Sequence, residues 1–137
     1  MTAWTRSIAC AMFVSLLVVG PDHAAAAGSY DGSRAFLCAV PTILECSAAG
    51  YCERHAGEDE SAPTFIKVDV AGQTVTSGAS RKSSLRSTAH VDGQLVLQGG
   101  ENGRGWTLTI DEASGRMAGT VVENDYTFSL FGVCTLP

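Results

Sequence analysis

From Thr64 to its C-terminal end the chain alternates polar and apolar residues with a period of two. An extended strand sends successive side chains to opposite faces, so this period describes a sheet with one dry side and one wet side. In TFIKVDV, residues Ile66, Val68 and Val70 share one face, and Phe65, Lys67 and Asp69 the other. In GWTLTID, Trp106, Leu108 and Ile110 oppose Thr107, Thr109 and Asp111; in YTFSLFGVC, Tyr126, Phe128 and Leu130 share a face. QTVTS, SSLRSTAH, QLVLQG and RMAGTVV complete the series, with turns expected at Ala71-Gly72, Val91-Asp92-Gly93, Asn102-Gly103, the EASG segment and Glu123-Asn124-Asp125. Asp-Gly and Asn-Gly between strand-like runs are hairpin signals, because these residues tolerate positive φ. Sustained helical periodicity is missing beyond residue 27; the best helical candidate, a weak one, runs from Ser47 to His55.

Upstream of Thr64, AFLCAVPTILEC reads as a strand, a kink at Pro41 and a short second strand or turn, and residues 47–63 as one long loop with an acidic tip at Glu58-Asp59-Glu60. Residues 28–34 (GSYDGSR) read as a loose, polar N-terminal stretch. The expected fold is all-β: a small antiparallel up-and-down β-barrel of about seven or eight strands, because closure removes the edges that an open meander exposes to pairing. Glycines at 99, 100, 105, 119 and 132 fall in or beside strands, where they would admit bulges and tight coiling. The aromatic residues Phe65, Trp106, Tyr126, Phe128 and Phe131 are expected to fill the interior. A barrel of eight strands is wide enough either to be packed by side chains or to hold one small ligand, and the sequence is compatible with both.

Residues 1–27 carry the three parts of a secretory signal: Arg6 before an apolar run from Ile8 to Val19, a Gly20-Pro21 break, and Ala25-Ala26-Ala27 for cleavage. The run is too short to span a bilayer, which takes about 20 apolar residues. Cys10 precedes most of it and does not fit a lipid-attachment cysteine. The expected organisation is a signal peptide over 1–27 and one barrel domain over 28–137, periplasmic or secreted, without stable membrane insertion after cleavage. An exported chain with Cys38, Cys46, Cys52 and Cys134 reads as two disulfides. Of the three possible pairings, Cys46–Cys52 with Cys38–Cys134 is preferred: Gly50 bends the first loop back, and the second bond ties the first strand to the last. C-x5-C-x2-H, completed by His55, matches no common zinc knuckle, so no metal and no cofactor is expected.

The formal net charge of −5 among 137 residues argues against nucleic acid as a partner, since there is no surplus of Lys and Arg to displace phosphate counterions. No nucleophile elbow, phosphate-binding loop or H-E-x-x-H segment occurs. His90 and His55 have bland readings as surface or loop residues, and Glu101 with Asp111 would serve glycoside hydrolysis only if about 5–10 Å apart in a cleft. No catalytic residue is assigned. The sharpest local feature is Glu101-Asn102-Gly103-Arg104-Gly105-Trp106, where Asn-Gly makes a turn and a guanidinium beside an aromatic suits recognition of a carboxylate or a sugar. Glu101, Asn102, Arg104 and Trp106 are the candidate binding residues. Arg81, Lys82 and Arg86 form a basic cluster on an otherwise acidic chain.

The block LVLQGGENGRGWTLTIDEASGRMAGTVV with FSLFGVC, after FLC…EC…C, resembles a group of small exported bacterial proteins. The resemblance implies a signal peptide, a compact β fold and two disulfides, and brings no catalytic residues with it. In architecture the strand order is also similar to calycin-like barrels and periplasmic lysozyme inhibitors, although the inhibitors' characteristic motif is absent and fold does not fix function. The expected role is a non-enzymatic binding protein of the cell envelope that engages an unknown protein or small ligand through its loops or mouth. Its sharper form is an inhibitor of a cell-wall or secreted enzyme. The alternatives are a small hydrolase or isomerase working in the barrel mouth, and a structural envelope protein without a ligand.

Overall fold

The computed structural model describes residues 30–55, 63–78 and 80–137; the expected signal peptide over 1–27, Cys10 and the expected acidic tip at Glu58-Asp59-Glu60 lie outside the described residues. Nine strands follow one another: β1 (Phe36–Ser47), β2 (Cys52–His55), β3 (Phe65–Asp69), β4 (Thr74–Ser77), β5 (Arg81–Val91), β6 (Gln94–Glu101), β7 (Arg104–Asp111), β8 (Arg116–Glu123) and β9 (Tyr126–Thr135). All pairings are antiparallel, and β1 with β9 closes the sheet into a barrel of β1 and β3–β9. The ninth strand, β2, continues the wall above β3: the lower half of β1 pairs with β3 through Phe36–Ala39, and the upper half with β2 through Ile43–Cys46. The 47–55 segment is therefore a turn and a strand rather than a helix. The reason is local: the Cys46–Cys52 bond joins directly opposed residues, and Gly50 takes φ +86° in the turn between them.

The expected kink at Pro41 is a bulge inside one continuous strand. The β1–β9 register shifts between Ala39 and Thr42, which absorbs the missing N–H of proline without ending the ladder. A second shift lies at Leu85–Ser87 on β5. The glycines singled out in the sequence do not themselves form these bulges. Gly132 lies opposite the first and Gly99 opposite the second, and Gly119 and Gly132 also make room for neighbours: a Cβ on Gly119 would meet Leu108 Cδ2 at 2.5 Å, and one on Gly132 the Ala39 carbonyl oxygen at 2.2 Å.

The turns follow the sequence. Asp92-Gly93 and Asn102-Gly103 both have positive φ at two successive residues, the geometry whose twist matches that of the flanking strands. At the β7–β8 turn, Asp111 accepts hydrogen bonds from the Ser114 backbone N–H (2.7 Å) and the Ser114 hydroxyl (2.6 Å).

The two-residue period sorts side chains as expected. Phe36, Val40, Ile43, Ile66, Val68, Leu95, Leu97, Leu108, Ile110, Met117 and Leu130 are buried inside with the Cys38–Cys134 disulfide. Residues 30–34, expected to be loose, close the lower end instead. Tyr30 meets Phe36 edge to face at a centroid distance of 5.9 Å, and its backbone N–H donates to the Glu112 carbonyl. The tyrosine ring occupies space that a Cβ on Gly115 would take. The aromatic expectation holds only in part. Trp106 and Phe128 face inward, but Phe65, Tyr126 and Phe131 are about half exposed. Phe65 and Phe131 fall on the outward positions of their strands, and Tyr126 stands at the open rim, so position along the strand overrides side-chain type.

Candidate functional site

The barrel is amphipathic along its axis. Its lower half is solid, and its upper half holds a cavity of about 130 Å³. The register places the walls in rows. Deepest are Ile43, Leu130 and Leu108; above them come Phe128, Val121 and Trp106, level with Glu45; at the rim stand Glu123, Arg104 and Glu101. Ile66, Val75, Ser77, Arg81, Ser83 and His55, with Pro63 just before β3, complete the lining from the side of β2–β5.

Two inward-facing glycines account for the hollow. The Trp106 indole leans across β6 over Gly99, where a Cβ would lie 2.2 Å from Cζ2, and its Nε1–H donates to the Ser83 hydroxyl at 2.7 Å. Leu108, two residues on, leans the other way over Gly119 on β8. The large side chains of β7 therefore lie flat along the wall, and the lumen that they would otherwise fill stays open. A barrel of this strand number sits at the boundary between packed and hollow, and these glycines place it on the hollow side.

Charge at the mouth is largely paired. Arg104 Nε donates to Glu123 Oε2 at 2.5 Å across the β7–β8 ladder, and His55 Nε2 lies 2.8 Å from Glu45 Oε2. Glu101, half-buried, and Arg81, exposed, form no ion pair with another described residue. Among the described residues no three His, Cys, Asp or Glu side chains gather as a metal-binding set.

Of the candidate binding residues, Glu101, Arg104 and Trp106 line the cavity. Asn102 does not: it sits at the exposed hairpin tip with φ 50°. Arg81 from the basic cluster reaches the mouth, while Lys82 and Arg86 are exposed and outside the lining. Glu101 and Asp111 stand at opposite ends of the β6–β7 ladder, about 23 Å apart along β7 at roughly 3.3 Å per residue, far beyond the reach of a glycosidase pair. Asp111 borders a separate shallow depression on the outer wall with Gln94, Thr109 and Phe131. His90 is bound to Glu112 near the lower end.

The sequence reading missed His55, Glu45 and Glu123. His55 is not a loose loop residue but the last residue of β2, half-buried and facing the cavity. A signal was present: Cys46–Cys52 makes a tight hairpin, which carries His55 back alongside Ile43 and its Glu45 neighbour. Compared with known proteins, the chain matches no family model, no curated protein and no solved structure.

Proposed function

We propose that this barrel is an exported, non-enzymatic binding protein that holds a small, predominantly apolar ligand in its open end. The observation that carries the reading is the cavity itself: about 130 Å³ walled mainly by Ile43, Val75, Leu108, Val121, Phe128 and Leu130, with Ser83 held by the Trp106 indole and Glu45 by His55 on the wall, and Glu101, Arg104 and Glu123 at the rim. Binding sites for small molecules have this constitution, an apolar wall with few convergent polar groups. An apolar cavity of roughly 150 Å³ accommodates benzene, so the occupant inserts one ring or one branched aliphatic group.

The absence of convergence among Glu101, Asp111 and His90 supports binding over catalysis, and Glu45 and Glu123 are held by His55 and Arg104. The two disulfides fit an oxidising location; with the leader over 1–27, they support a periplasmic or secreted site of action. The test uses benzyl alcohol as a neutral one-ring probe and the Trp106 indole N–H resonance as the reporter. Saturable shifts that vanish in Val121→Trp, with the strand resonances retained, are expected. No shift up to the solubility of the probe overturns the proposal.

A further inference from the structure

The cavity wall fixes the size of the occupant, and the rim fixes its charge. The lining carries three carboxylates, Glu45, Glu101 and Glu123, against two guanidinium groups, Arg81 and Arg104, while His55 adds no formal charge in its neutral form. Two of the three carboxylates already have partners. Arg104 is committed to Glu123, and Glu45 to His55. What remains is Glu101 and Arg81, and their environments differ. Arg81 is exposed, so water and salt screen its charge; Glu101 is half-buried on the cavity wall, where screening is weaker. Directly below Glu101 the Trp106 indole lies over Gly99, and Phe128 stands in the same row of the cavity three strands away on β9. The face of an aromatic ring attracts a cation and repels an anion. The whole chain adds a net charge of −5.

From these features we infer that the natural occupant is a small organic monocation: one ring or branched apolar group bearing an amine, seated with its apolar part in the hollow and its ammonium against Glu101. The inference rests on the binding reading above and narrows it to one class of ligand. It also reverses the sequence expectation for this hairpin, in which Arg104 grips a carboxylate: Glu123 already occupies that guanidinium edge.

The experiment compares three probes of one size, benzylammonium, benzyl alcohol and benzoate, by titration of the purified protein with the Trp106 indole N–H as reporter. Benzylammonium is expected to bind at least five-fold more tightly than benzyl alcohol, and benzoate least well. In Glu101→Gln the cation should bind no more tightly than benzyl alcohol binds the same variant, and saturable binding of benzyl alcohol there reports that the hollow is intact. If benzyl alcohol or benzoate binds as tightly as benzylammonium, the cation assignment is overturned and the apolar-ligand reading stands. A preference for the cation that survives Glu101→Gln overturns the assignment to this carboxylate. If no probe shifts the indole, the binding reading falls, and this inference with it.

Discussion

Gly99 decides what Trp106 does, and through it whether the barrel has a lumen. A methyl group at 99 would lie 2.2 Å from the indole and 2.4 Å from the Ser84 carbonyl oxygen. The indole must then leave the wall, give up its hydrogen bond to Ser83 and enter the cavity. Overpacking of this kind costs about 1–3 kcal/mol. Gly99→Ala is thus expected to lower the midpoint of chemical denaturation by that amount, shift the Trp106 emission and abolish binding of benzyl alcohol; an unchanged emission spectrum would contradict this account of the hollow. Asn102 shows the opposite case, a residue close to the site in sequence with a purely conformational role. Its φ of 50° suits Asn and Gly, whereas a residue with an ordinary Cβ pays roughly 1 kcal/mol there. Asn102→Ala should therefore be less stable by about 1 kcal/mol in urea titration, with Asn102→Gly near the parent and probe affinity the same in all three.

At the scale of elements, hairpin chemistry and strand period agree through the chain from Thr64 onward except at the Leu85–Ser87 bulge, which is why that half of the fold was legible: Asp92-Gly93 and Asn102-Gly103 turn where two alternating runs meet. What was not legible depends on neighbours far apart in sequence. Nothing local says that Tyr30 fits under Gly115, or that β2 takes over from β3 along β1. The site was half legible for the same reason. Glu101, Arg104 and Trp106 lie on one hairpin, whereas Glu45, His55 and Glu123 reach the mouth only through the pairings of β1, β2 and β8. The β7–β8 turn yields a pH prediction. Hydrogen bonds from the Ser114 side chain and backbone hold the Asp111 carboxyl below its ordinary value of 3.8. A group lowered in the folded state binds its proton more readily when unfolded, so it stabilises the fold above that ordinary value, and the contribution is lost as pH falls through the folded value. Between about pH 5 and about pH 3 the melting midpoint of the parent should fall more steeply than that of Ser114→Ala; parallel curves would show that this turn does not sense protons.

For the whole molecule, the two disulfides divide the labour between keeping the cylinder closed and shaping its mouth. Cys38–Cys134 joins opposed residues of β1 and β9, is almost fully buried and spans 96 residues. In the chain-entropy description a closed loop of that length is worth about 4–5 kcal/mol, a large share of the roughly 5–15 kcal/mol that holds a domain together. Cys46–Cys52 spans only 6 residues, and the same description gives it about 2 kcal/mol. Its position matters more than its energy: it anchors β2, which pairs with β1 alone and supplies His55 to the cavity. The two bonds should accordingly separate stability from binding. Replacing Cys38 and Cys134 together by Ala should lower the melting midpoint sharply and leave the affinity of the folded fraction for benzyl alcohol near that of the parent, since neither cysteine lines the cavity. Replacing Cys46 and Cys52 by Ala should cost less in melting midpoint but weaken benzyl alcohol binding, because β2 then frays and the wall opens at His55. Calorimetry and indole N–H titration on both double variants check the pair of outcomes, and the reverse ordering would mean that β2 holds its place without the sulfur bridge.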